Sequence, residues 1–131
     1  MKKTYTGSCH CGAVRFEADV DLSAGTFKCN CSICTKTRNW GVGVVPGTFR
    51  LLAGEADLAD YQPFRVHHVF CRHCGVRPFS WGQDPQGNIF RVARVYCLDD
   101  VDVDELIRAP VRYLDMRHDD VRSTPAETRH L

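Results

Sequence analysis

The sequence predicts a mainly β protein stapled by metal. Three observations point there: apolar residues alternate with period two in several separate stretches, no window carries a long 3.6-residue period, and the cysteines fall in close-set groups. Val14, Phe16, Ala18 and Val20 alternate with Arg15, Glu17 and Asp19, which predicts a strand with one buried face. Trp40, Val42 and Val44 alternate with small residues before the turn signal Pro46-Gly47. Phe64, Val66, His68 and Phe70 repeat the pattern and lead into Cys71. Ile89 to Cys97 follows the turn signal Asp84-Pro85-Gln86-Gly87-Asn88 and predicts another strand. The one helical candidate is Asp102 to Arg108, stopped near Pro110.

A chain of 131 residues with 44% apolar content fits one domain with a modest core. Residues 1–114 are expected to form it, and the polar stretch 115–131 to be a loosely packed surface tail. A core this small calls for a non-hydrophobic staple, and eight cysteines are available. The net charge is +1 with both signs interspersed, so no basic stripe for nucleic acid or an anionic membrane is expected. The N-terminus is basic but no apolar run follows it, and the stretch Trp40–Gly47 is too short to span a bilayer. A cytoplasmic location follows as the expectation, and there clustered cysteines favour metal over disulfides. The acidic run Asp99–Glu105 fails as a calcium loop. Read from Asp100, it has Glu105 where glycine belongs and Val111 where the bidentate glutamate belongs.

The cysteines form three groups and a singleton: Cys9-His10-Cys11, Cys29-Asn30-Cys31-Ser32-Ile33-Cys34, Cys71-Arg72-His73-Cys74, and Cys97. The first and third groups each offer two sulfurs and a trailing glycine, Gly12 or Gly75, that lets the backbone turn sharply. Together Cys9, Cys11, Cys71 and Cys74 make a closed four-sulfur shell, the pattern of a structural zinc. The middle group offers three sulfurs, the pattern of a zinc with one position open. Two other readings stand beside this one. Eight cysteines also suit a disulfide framework, and Cys97, His10, His67, His68 or His73 would close the middle site if one of them reached it. Cys97, in an apolar strand, reads first as a small buried hydrophobe.

Three ordered motifs carry a family resemblance. Gly7-Ser8-Cys9-His10-Cys11-Gly12-Ala13-Val14-Arg15-Phe16, then Cys29-Asn30-Cys31-Ser32-Ile33-Cys34, then Phe70-Cys71-Arg72-His73-Cys74-Gly75 resemble the glutathione-dependent formaldehyde-activating enzymes, a family that includes the centromere protein V domain. The resemblance runs from about Tyr5 to Asp100. It implies several small coiled antiparallel sheets around zinc knuckles, similar to the Mss4-like fold. It implies two zinc ions, a structural one on Cys9, Cys11, Cys71 and Cys74 and a catalytic one on Cys29, Cys31 and Cys34. It also implies a carbon–sulfur lyase that joins formaldehyde and glutathione as S-hydroxymethylglutathione. After Cys34 this chain runs Thr35-Lys36-Thr37-Arg38-Asn39-Trp40-Gly41, where the family often has basic residues and then Gly-Ala.

A zinc ion on three thiolates carries a net negative charge and holds a fourth thiolate better than it activates water. Lys36, Arg38 and Arg72 neighbour the cysteine groups and are the candidate partners for the carboxylates of glutathione. His10 and His73 are candidate proton donors to a developing alkoxide. The alternative is a non-catalytic zinc module for protein interaction; a zinc-ribbon nucleic-acid binder fits the flat charge poorly. Exposed strand edges would allow a homodimer.

Overall fold

The computed structural model describes all 131 residues and contains two sheets and two short helices. The smaller sheet is built from strands β1 (Lys3–Ser8), β2 (Arg15–Val20) and β5 (Arg50–Ala53) in the order β1-β2-β5. The larger sheet contains β3 (Thr26–Cys29), β4 (Gly41–Gly43), β6 (Leu58–Tyr61), β7 (His67–Cys71), β8 (Phe79–Gln83), β9 (Ile89–Arg94) and β10 (Val111–Leu114). Its order is β10-β3-β4-β9-β8-β7-β6, antiparallel throughout except for the parallel pair β10–β3. No helix is long and apolar enough to cross a membrane.

The period-two stretch of β2 dictates how the sheets meet. Val14, Phe16, Ala18 and Val20 are all fully buried, while Arg15 is exposed. They join Val42, Val69, Phe79 and Ala93 of the larger sheet in one core. Three aromatic rings lock its centre: Phe16 stacks on Phe49 at 5.4 Å and meets Phe79 edge-on at 5.7 Å, and Phe49 touches Phe79 at 4.7 Å. Aromatic pairs of this geometry add about 0.5–1.5 kcal/mol beyond area burial. Phe16 also needs room beneath β1, because a Cβ on Gly7 would lie 2.3 Å from its ring.

Several sequence expectations are corrected in detail. Phe64 lies outside β7 and is 74% exposed; Pro63 precedes it and has no N–H to continue a ladder. The strand from Ile89 ends at Arg94: the Val95 amide still donates to the Trp40 carbonyl (2.9 Å) in the β4 register, but Val95–Cys97 then wind into a 3₁₀ turn closed by Leu98 N–H to the Val95 carbonyl (3.2 Å). Trp40 precedes β4, with its indole N–H donating to Thr26 Oγ1 at 2.8 Å. The helix expected near 102–108 is α2 (Val103–Arg108), opened by a capping box of Asp102 and Glu105. Helix α1 (Ser32–Thr37) was not foreseen. Six residues are too few for a readable period, although the i, i+3 spacing of Cys31 and Cys34 is helical.

Residues after 114 return to the sheet. Asn30 Nδ2 donates to Asp115 Oδ1 (2.7 Å), the Arg117 amide donates to Asn30 Oδ1 (2.9 Å), and Pro125 is buried. The central prediction concerns the aromatic lock. Phe16→Ala should lower unfolding stability by about 3–5 kcal/mol, read as the shift of the urea midpoint. An unchanged midpoint would mean that the two sheets are not held by this cluster.

Candidate metal centres

The first centre joins the two sheets. Cys9 and Cys11 sit in the β1–β2 turn, Cys71 ends β7, and Cys74 lies in the turn beyond it. Gly12 (φ +81°) and Gly75 (φ +78°) close these turns in the left-handed region, with Gly75 N–H donating to the Cys71 carbonyl at 2.7 Å. The four sulfurs lie within 4.8 Å of one another, and the pairs Cys9–Cys11 and Cys11–Cys71 are both 3.7 Å apart. Four sulfurs placed about 2.3 Å from a common zinc would stand about 3.8 Å apart, so the spacing fits a tetrahedral shell. It does not fit disulfides, and all eight cysteines are free.

Backbone amides face these sulfurs. Val14 N–H donates to Cys9 Sγ at 3.3 Å and His73 N–H to Cys71 Sγ at 3.4 Å. Amide donation from Cys11 and Val76 pulls the Cys74 thiol down to about 6, well below an ordinary thiol. A thiolate held this way is what a metal needs, and such outer contacts also orient the ligands.

The second group gathers Cys29, at the end of β3, with Cys31 and Cys34 on the first turn of α1. Their sulfurs also lie within 4.8 Å of one another. Cys31 N–H donates to Cys29 Sγ (3.4 Å) and the Asn39 amide donates to Cys34 Sγ (3.6 Å). Donation from Cys29 and Cys34 pushes Cys31 down, and Cys34 moves the opposite way. No fourth cysteine, histidine or carboxylate completes the cluster. Cys97, buried, points its thiol at the Arg77 carbonyl (3.7 Å).

Beside the triplet opens a cavity of about 810 Å³. Cys31 and Cys34 line it together with the apolar side chains Phe27, Ile33, Phe64, Val66, Phe90, Val92 and Met116. The polar lining is Asn39, His68, Ser80 and Arg94, all buried, with exposed Arg65 and Asp119. Arg94 comes from β9 and His68 from β7, so the large sheet supplies the polar residues and the α1 connection supplies the sulfurs.

The charged residues singled out from the sequence are elsewhere. Lys36 and Arg38 are exposed on and just after α1, and Arg38 Nη1 donates to the His130 carbonyl (3.5 Å). Arg72 is on the first centre's turn, bonded to the Leu58 carbonyl (3.1 Å), and does not line the cavity. His10 and His73 are exposed, and His73 Nε2 pairs with Asp57 (2.7 Å). The residue that does face the cavity is His68. Burial first, then the charges of Arg77 and Arg94, drive it down to about 4, so the ring is neutral at pH 7. Arg77 Nη2 donates to His68 Nδ1 at 2.7 Å, which leaves the ring proton on Nε2.

Two cysteine groups in a two-sheet β fold, one of four sulfurs and one open on a cavity, are the pattern of a class of small proteins that could hold metal on thiolates. The comparisons narrow the class. The sequence matches the model of the family "Glutathione-dependent formaldehyde-activating enzyme" over residues 4–110, and the chain belongs to that family. Its structure is similar to the crystal structure of a Rhodobacter sphaeroides protein, a structural-genomics target, with 27% identity and a TM-score of 0.67. The match covers 82% of this chain and 99% of the other.

The first centre generates two expectations. Cys71→Ser should give insoluble or protease-sensitive protein, because a zinc shell of this kind contributes on the order of 10 kcal/mol to folding. A soluble variant with unchanged Tm would rule that role out. Metal retention should also depend on pH with a defined sign. The amide donors favour the Cys74 thiolate, so their contribution is complete above the ordinary thiol value of 9.0 and is lost as the pH falls through about 6. Zinc released to a chelator at pH 5 should therefore exceed that at pH 8.

Proposed function

We propose that this chain joins a small thiol, glutathione or a relative of it, to a small aldehyde, and cleaves the same carbon–sulfur bond in reverse. Cys29, Cys31 and Cys34 hold a catalytic zinc, and Cys9, Cys11, Cys71 and Cys74 hold a structural one. The single observation that carries this reading is the open triplet: three sulfurs, no fourth protein ligand, and two of the three on the wall of a cavity. When bound, the ion supplies an electrophilic position that lowers the pKa of an entering thiol, so the sulfur is presented as a thiolate at neutral pH.

The chain's own residues do the rest. The apolar walls exclude water, which favours the adduct over hydration of the aldehyde. The N–H of His68 at Nε2 is directed to the aldehyde oxygen, where negative charge grows as the carbon–sulfur bond forms. The carbonyl π pair moves to that oxygen, which takes up the proton that the thiol released and becomes the hydroxyl of the adduct. In reverse the hydroxyl gives up its proton, the carbonyl reforms and the sulfur departs. Thiol and aldehyde therefore balance the adduct without any redox change. Lys36 and Arg38 are available outside the cavity for the carboxylates of a long thiol such as glutathione. Eight free thiols support a reducing, cytoplasmic setting.

The test uses cobalt in place of zinc. Glutathione added to the cobalt protein should change the spectrum of one site from three sulfurs to four and leave the closed site unchanged. Cys31→Ser should abolish that change and lower adduct formation by at least about 100-fold, within the range of typical single catalytic contributions. It should keep a Tm within a few degrees of the parent, since an open site need not hold the fold together. A spectrum that ignores every thiol would sink the enzymatic reading and leave a non-catalytic zinc module.

A further inference from the structure

The cavity is built for more than formaldehyde. A one-carbon aldehyde needs only a small part of about 810 Å³, and by itself leaves most of the seven aromatic or aliphatic lining side chains without contact. More telling is Arg94. It is 2% exposed, lines the cavity, and has its Nε buried with no hydrogen-bond partner. Arg77 donates to His68, which lines the same cavity, and has its Nε and Nη1 likewise buried and unpartnered. No carboxylate stands within ion-pair distance of either guanidinium. Burial lowers Arg94 to about 10, so it stays charged at neutral pH. Buried charges without a counter-charge are strongly disfavoured, and proteins keep them where a partner arrives from outside.

The triplet offsets only part of this charge. Zinc on three thiolates carries one negative charge, and the two guanidiniums carry two positive ones. Before a thiol enters, one positive charge remains beside apolar walls, and neutral His68 adds none.

We propose that Arg94, backed by Arg77, forms a carboxylate subsite in this cavity, and that the ligand is a monoanionic acid with an apolar body. This rests on the reading of the cavity as the substrate pocket. The guanidinium offers paired N–H donors in the geometry a carboxylate accepts. Phe27, Phe90 and Val92 supply the contact for the apolar part. The acid group belongs either to the electrophile, an aldehyde acid in place of formaldehyde, or to the thiol itself.

Binding to the zinc-loaded protein tests this without any turnover, so its failure and that of the proposed reaction are separable. Benzoate and benzamide share shape and differ in charge. Calorimetry should show benzoate binding at least about tenfold more tightly, the size expected of a charge-assisted hydrogen bond. Arg94→Met should remove that preference, while Phe90→Ala should weaken both ligands alike. Equal binding of the two ligands to the parent protein would overturn the proposal without recourse to any variant. A preference that survives in a folded Arg94→Met protein would overturn it too, because the carboxylate would then sit on the metal or elsewhere. S-methylglutathione, which keeps both carboxylates but has no thiol, identifies the source. Binding of benzoate unaffected by it supports an acid on the electrophile, and displacement of benzoate supports an acid on the thiol.

Discussion

Four sulfurs from two sheets are held within 4.8 Å of one another, and the rest of the fold is arranged around that fact. Cys9 and Cys11 belong to the turn of the small sheet, Cys71 and Cys74 to the end of a strand in the large one. Four thiols at this spacing repel when ionised and bond poorly when protonated, so only a cation makes the arrangement favourable. The aromatic lock at Phe16, Phe49 and Phe79 presses the same two sheets together. A metal on these four sulfurs would bear on the same interface as the core. A chain of 131 residues has little apolar surface to spare for it otherwise.

The second cysteine group has a different relation to the fold. Its three sulfurs come from one strand end and the start of one helix, a span of six residues. Such a group joins nothing distant, so its formation rests on what surrounds it. Asn30 anchors it from one side, its backbone amide donating to the Leu114 carbonyl (3.2 Å) and its side chain to Asp115 (2.7 Å). Arg117 returns a bond from Nε to the Asn30 carbonyl (3.0 Å). The chain beyond β10 thus buttresses the triplet loop, which leaves the sulfurs free to face the cavity.

How much of this was legible in the sequence depended on range. The four residues Val14, Phe16, Ala18 and Val20 were readable because period two on one strand is a local signal. The cysteine groupings were readable because metal ligands cluster in sequence and glycines mark their turns. Arg94 and Asn39 were not, and His68 stood only among the histidines that could close the triplet. Arg94, His68 and Asn39 come from β9, β7 and the segment after α1, and only the pairing of strands brings them to one cavity. Nearness to a cysteine in sequence pointed to Lys36, Arg38 and Arg72, which are exposed and lie outside the cavity lining. Burial was the missing information: a basic residue in a strand rich in valine reads as the solvent-facing member of the alternation, and Arg94 is 2% exposed.

The buried arginines also bear on why the cavity has the walls it has. The attraction between a guanidinium and nearby thiolate sulfurs is stronger where water is kept out. Phe27 and Val92 do this from below, and their contact leaves space for nothing larger than Gly41 between them. A Cβ at that position would fall 2.8 Å from both the Phe27 ring and a Val92 methyl. Gly41 is therefore as much a part of the pocket as the residues that line it. It lets β4 pass close enough for the large sheet to keep its order, β3 on one side with its cysteine and β9 on the other with its arginine. The strand that separates sulfur from guanidinium sets their spacing, and its smallest residue holds the apolar side chains of the pocket against it.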